Sequence, residues 1–247
     1  MRVGLVQFPR APGERATNLI RTLGAIDRAA AAEPGPDLLI LPGQCDGDPT
    51  GREPTGEVAL ADEIPPLTQA MAEAFSESIA ARAREWGVYI AFGAFRNRDG
   101  VVAEGAALFD PDGDVLLECW DRSDESLRGA APSCGETPIG RLALRFGQTT
   151  DQRFDSDLQA ADPMLVVAWF DGPDPKNRRG PSAEEAEDQC RALAARWKVA
   201  VCAVFPPPVG RGGACAAAGL TVWCRPGDRP APLAGRGSNE LTMVELI

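Results

Sequence analysis

Short apolar runs of strand length alternate with helix-period segments along this chain, and that alternation restricts it to an α/β architecture. Val3-Gly4-Leu5-Val6-Gln7, bounded by Pro9, suits a buried strand. A helix is expected from about Arg15 to Ala32, because Leu19, Leu23, Ile26 and Ala30 recur on one face. Pro34-Gly35-Pro36 stops it, and residues 37–41 form the second strand. A polar Gly- and Pro-rich stretch over residues 43–66 leads to a second helix, about Leu67 to Trp86, along which Ala80, Ala83 and Trp86 lie. Gly87 then stands where a C-terminal cap belongs.

The second half repeats the theme with hairpins inserted. Val88–Phe92 is a strand, and Asp99-Gly100 and Pro111-Asp112-Gly113 are turn signals that separate strands near Val101–Phe109 and Val115–Trp120. Residues 121–138 read as loop. Strand Arg141–Phe146, a short helical candidate at Asp155–Ala161 and strand Met164–Trp169 follow. Ser182-Ala183-Glu184-Glu185 is a capping box opening a helix whose Ala186, Leu193 and Trp197 share a face. Strands Val199–Phe205, Gly219–Cys224 and Leu241–Leu246 close the chain, with loops at Pro206–Gly213 and Arg225–Ser238. The pattern alone specifies one α/β domain over residues 1–247. Two mixed sheets packed face to face, with helices outside, would make it an α-β-β-α sandwich.

Charge and composition exclude several functions. A net charge of -11 and a pI near 4.6 argue against an extended nucleic-acid footprint, because phosphates would be repelled. No apolar run approaches a membrane span and no signal-like segment precedes Val3, so a cytoplasmic location is expected. The seven cysteines (Cys45, Cys119, Cys134, Cys190, Cys202, Cys215 and Cys224) show no C-x-x-C spacing. Neither a disulfide framework nor a metal site is indicated, and no cofactor is expected. Histidine is absent, so any catalyst must use carboxylates, thiols, hydroxyls or amines. Cys190, Cys202 and Cys224 read as core, and Cys134 and Cys215 as exposed loop thiols. Gly212-Gly213 lacks the strand and helix that a phosphate loop would need.

An ordered set of short motifs resembles the nitrilase or carbon–nitrogen hydrolase superfamily. Val3–Pro9, Asn18-Leu19, Asp37–Pro42, Gly87–Gly93 and Asp110-Pro111-Asp112-Gly113 come first. Gly140-Arg141-Leu142, Asp151-Gln152-Arg153-Phe154, Arg191-Ala192 and Thr221-Val222-Trp223 continue the likeness over nearly the whole chain. The resemblance implies a four-layer α-β-β-α sandwich, commonly paired into dimers. It also implies hydrolysis of amides, nitriles or carbamoyl groups, or acyl transfer, by a Glu-Lys-Cys triad. A thiolate attacks the carbonyl or nitrile carbon, the glutamate handles protons, and the lysine ammonium stabilises the anionic intermediate.

This chain departs from that triad at every member. Gly43 follows Pro42 where the glutamate would stand. Asp121 is best placed at the lysine position, with Arg122 one residue off and therefore on the other face of a strand. Thr149 falls at the cysteine position when counted from Asp151-x-Arg153-Phe154, and Gly147 falls there when counted from Gly140. The family's later Glu-Asn pair is replaced near Ala194-Ala195. Glycine moves no proton, an ionised aspartate repels an oxyanion, and threonine without a base is a poor nucleophile. The sequence therefore reads as a pseudoenzyme with no catalytic residues, used for ligand binding or for assembly as a homodimer or with another protein. The competing reading is an active amidase-like hydrolase with relocated residues. Cys45 or Cys119 would be its nucleophile, and Asp46, Asp48, Asp121, Asp124, Glu125, Thr149 and Asp151 would line its pocket. Asp151 and Arg153 also suit a structural pair at a strand-to-helix turn.

Overall fold

The computed structural model describes residues 1–8, 14–43, 45, 68–98, 101–120, 133–146, 164–169, 183–204, 221–227, 231–232 and 240–246. Two six-stranded sheets dominate the described residues. Sheet 1 is built from β1 (Arg2–Gln7), β2 (Leu38–Ile40), β3 (Tyr89–Arg98), β4 (Val101–Phe109), β5 (Val115–Trp120) and β12 (Glu240–Glu245), in the order β12-β1-β2-β3-β4-β5. Sheet 2 contains β6 (Cys134–Thr137), β7 (Gly140–Phe146), β8 (Leu165–Trp169), β9 (Ala200–Val204), β10 (Thr221–Cys224) and β11 (Ala231–Pro232), in the order β11-β10-β9-β8-β7-β6. Each sheet has a parallel centre, β1-β2-β3 or β7-β8-β9, flanked by antiparallel strands.

Period-2 alternation divides the side chains among three apolar layers. Val3, Leu5, Leu38, Ile40, Ala106, Leu117 and Cys119 of sheet 1 meet Leu142, Leu144, Val167 and Cys202 of sheet 2 in the central layer. The opposite face of sheet 1 packs Leu39, Ile90 and Phe92 against α1 (Arg15–Ala30) and α2 (Gln69–Trp86). Val166, Val201 and Val222 of sheet 2 pack beneath Cys190 and Leu193 of α3 (Ala183–Trp197). The result is the four-layer α-β-β-α sandwich.

Helix boundaries follow their caps. Thr68 accepts a hydrogen bond from the Met71 amide at 3.2 Å, and Gly87 closes α2 in the left-handed region at φ 63°. Trp86 is exposed, and its indole N–H donates to Asp27 of α1 at 2.9 Å. Arg82 pairs with the same carboxylate at 2.9 Å, so α1 and α2 are stapled at their C-terminal ends. The Asp110–Gly113 turn is held by Asp110 Oδ1, which accepts from the amides of Asp112 and Asp114. Gly113 has φ +78°, and a Cβ there would come 2.9 Å from the Ala80 carbonyl of α2.

Several sequence expectations shift. Helix α1 ends at Ala30, and its fully buried stripe is Asn18, Thr22, Ala25, Ile26 and Ala29. Leu19, Leu23 and Ala30 are only partly buried at its edge. Thr22 can occupy the core because its hydroxyl bonds the Asn18 carbonyl at 2.8 Å. Strand β3 runs to Arg98, well past Phe92, because it pairs with β4 along its whole length. Residues 134–137, expected as loop, pair with β7 as the edge of sheet 2, and Ala231–Pro232 makes a short strand against β10. The helical candidate at Asp155–Ala161 lies outside the described residues.

Candidate functional site

Beyond Ile40 the chain keeps pairing with β3 after the regular strand has ended. Leu41 donates to the Ala91 carbonyl at 2.8 Å, Gly93 donates to Pro42 at 3.4 Å, and Cys45 donates to Gly93 at 2.9 Å. From Leu41 to Cys45 this chain advances four residues while β3 advances two, from Ala91 to Gly93, so the segment bulges. Gly43 is buried in that bulge. Gly43, which carries no side chain, is thus flanked by the backbone hydrogen bonds of Pro42 and Cys45.

Cys45 is 1% exposed, and its thiol donates to the Pro42 carbonyl at 2.8 Å. It belongs to the layer between sheet 1 and the helices α1 and α2. Cys119 of β5 is buried too, opposite Ala106 of β4, and belongs to the layer between the two sheets. The two candidate nucleophiles therefore stand on opposite faces of sheet 1, and no single cavity on one face can use both.

On β5, Glu118 and Trp120 alternate with Cys119 and face the helix side. Glu118 is buried and pairs with Arg96 of β3 at 3.3 Å. The Arg96 guanidinium lies 4.8 Å from the centroid of the Trp120 ring. That ring packs over Gly105, its cross-strand partner, where a Cβ would come 2.6 Å from the Cys119 carbonyl. Asp121, which follows Trp120, lies outside the described residues, as do Asp46, Asp48, Arg122, Asp124, Glu125, Gly147, Thr149, Asp151 and Arg153.

Some polar groups near these strand ends escape a reading of apolar runs. Arg145 of β7, two residues before Gly147, is 1% exposed on the helix-facing side of sheet 2, with its guanidinium 5.7 Å from the Trp197 ring of α3. Leu142 and Leu144 face inward in alternation with Ala143 and Arg145, and that period was the available signal. Glu104 of β4, half-buried, shares the inter-sheet face with Ala106 and Leu108 and stands opposite Phe95. It lies one diagonal step from Cys119 across the β4–β5 pair, a span of about 7–8 Å between positions.

Burial pushes the Cys190 thiol far up, with Cys224 and Glu187 adding to it, and burial does the same to Cys202. Cys224 is buried, Cys134 is half-buried on β6, and Cys215 is outside the described residues. Among the described residues no group of three carboxylate or thiol side chains is placed to hold a metal ion, and no helix is long and apolar enough to cross a membrane.

No family model matches the chain, and no curated protein matches it in sequence. Solved structures do. The NitN amidase from Nesterenkonia sp. AN1 superposes with a TM-score of 0.72 at 18% identity, covering 100% of this chain and 93% of that one. A cysteine-to-alanine variant of the Nesterenkonia AN1 amidase in complex with butyramide gives 0.66 at 20% identity, covering 98% and 88%. A glutamate-to-leucine variant, which carries an acetamide moiety covalently added at the active-site cysteine, gives 0.68 at 18%. That enzyme is an amidase from the nitrilase superfamily. Likeness at this identity is likeness of fold. This chain has the fold of those amidases.

Proposed function

We propose that this chain is a non-catalytic member of the carbon–nitrogen hydrolase superfamily, whose sandwich serves ligand binding or protein assembly in place of hydrolysis. The observation that carries the reading is Gly43, buried in a hydrogen-bonded bulge at the strand end where the family places its proton carrier. The location of the thiols supports it. Cys45 is sealed under the helices with its S–H committed to a carbonyl, and Cys119 has no lysine or histidine beside it in sequence to assist it as a nucleophile. Losing one member of a cooperating triad costs several orders of magnitude in rate, and three losses leave little to rescue.

Spacing bears on the nucleophile position. The glutamate and the cysteine replaced in the Nesterenkonia variants are separated by the same number of residues as Gly43 and Gly147, two fewer than Gly43 and Thr149. We therefore assign the vacated cysteine position to Gly147. A short aliphatic amide such as butyramide is the first ligand to test, and a second copy of the chain or another protein is the expected partner.

Purified protein should turn over no member of a panel of amides, nitriles and carbamoyl compounds. Turnover that disappears in the Cys45→Ala/Cys119→Ala double variant would overturn the proposal. It would establish the alternative, an amidase-like hydrolase with a relocated thiol. The inter-sheet placement of Cys119, with Glu104 on the same face, makes Cys119 the nucleophile to expect in that case.

A further inference from the structure

We draw no further inference here: the strongest candidate, the Arg96–Glu118–Trp120 cluster on the helix-facing side of β3–β5, whose buried indole N–H has no hydrogen-bond partner among the described residues, is accounted for by the packing of that ring over Gly105, and nothing in the structure shows what ligand or acceptor would meet it.

Discussion

Cys45 and Cys119 occupy opposite faces of one sheet, the first beneath α1 and α2 and the second between the two sheets. A pleated sheet keeps its two faces apart, and no rotamer carries a thiol through the backbone. Both side chains should therefore alkylate slowly in the folded protein and at ordinary thiol rates once denatured. Mass-spectrometric mapping of iodoacetamide adducts reads this directly. A native-state rate at Cys119 far above that at the core thiol Cys190 would point to the hydrolase reading.

Cys45 is a hydrogen-bond donor in the bulge, so its replacement has a structural cost. Cys45→Ala should lose about 1–2 kcal/mol of unfolding free energy, from a vacated buried volume and an under-satisfied Pro42 carbonyl. Cys45→Ser, which keeps a donor, should recover part of it. Urea denaturation of the two variants decides, and equal losses would remove the hydrogen bond from the explanation.

Restoring the triad tests the assignment of the nucleophile position. The variant Gly43→Glu/Asp121→Lys/Gly147→Cys should be labelled by fluoroacetamide at the new thiol. The companion carrying Thr149→Cys in place of Gly147→Cys should label at least tenfold more slowly. The reverse order would move the vacated position to residue 149.

Gly105 is required by its neighbours. A Cβ there would lie 2.6 Å from the Cys119 carbonyl and 2.8 Å from the Trp120 Cα, both backbone atoms that cannot turn aside. Gly105→Ala should destabilise by about 1–3 kcal/mol through overpacking. Trp120→Phe should cost less than Trp120→Ala, for which about 3–5 kcal/mol is expected, because Phe keeps most of the ring volume and the indole N–H makes no hydrogen bond among the described residues. Melting temperatures of the three variants give the order.

Tyr89 is the single tyrosine of the chain, so its ionisation can be followed without interference from another phenol. Burial raises its pKa above the ordinary value of about 10, and Asp110 and Asp112 add to the rise. The folded state thus holds the phenolic proton more tightly than the unfolded chain. That stabilisation is complete below about pH 10 and is lost as pH climbs through the raised folded value. Absorbance at tyrosinate wavelengths should titrate later in native than in denatured protein, and coincident curves would contradict the burial.

Much of the architecture was legible because strand and helix periods differ. The hairpin Val101–Phe109 to Val115–Trp120 and the C-terminal cap of α2 at Gly87 follow from turn and cap residues that act locally. Residues 134–137 were not legible, since Cys-Gly-Glu-Thr has no alternation and is a strand only because β7 offers it an edge. Asn18 and Thr22 are buried although the apolar face of α1, read from Leu19, Leu23, Ile26 and Ala30, did not include them. Polar residues are expected outside, and a hydroxyl-to-carbonyl bond within the helix lets Thr22 sit inside. The site divides in the same way. That a glycine follows Pro42 at the end of this strand can be read from the sequence directly. That Cys45 and Cys119 belong to different layers depends on a bulge that sequence periodicity does not announce.

The bonds that shape the stretch from Leu41 to Cys45 run through main-chain groups and one thiol, and none involves a side chain at residue 43. Glycine and glutamate codons can lie a single base apart. On the reading proposed above, a glutamate introduced at residue 43 would meet a strand end whose donors and acceptors are already engaged by the main chain.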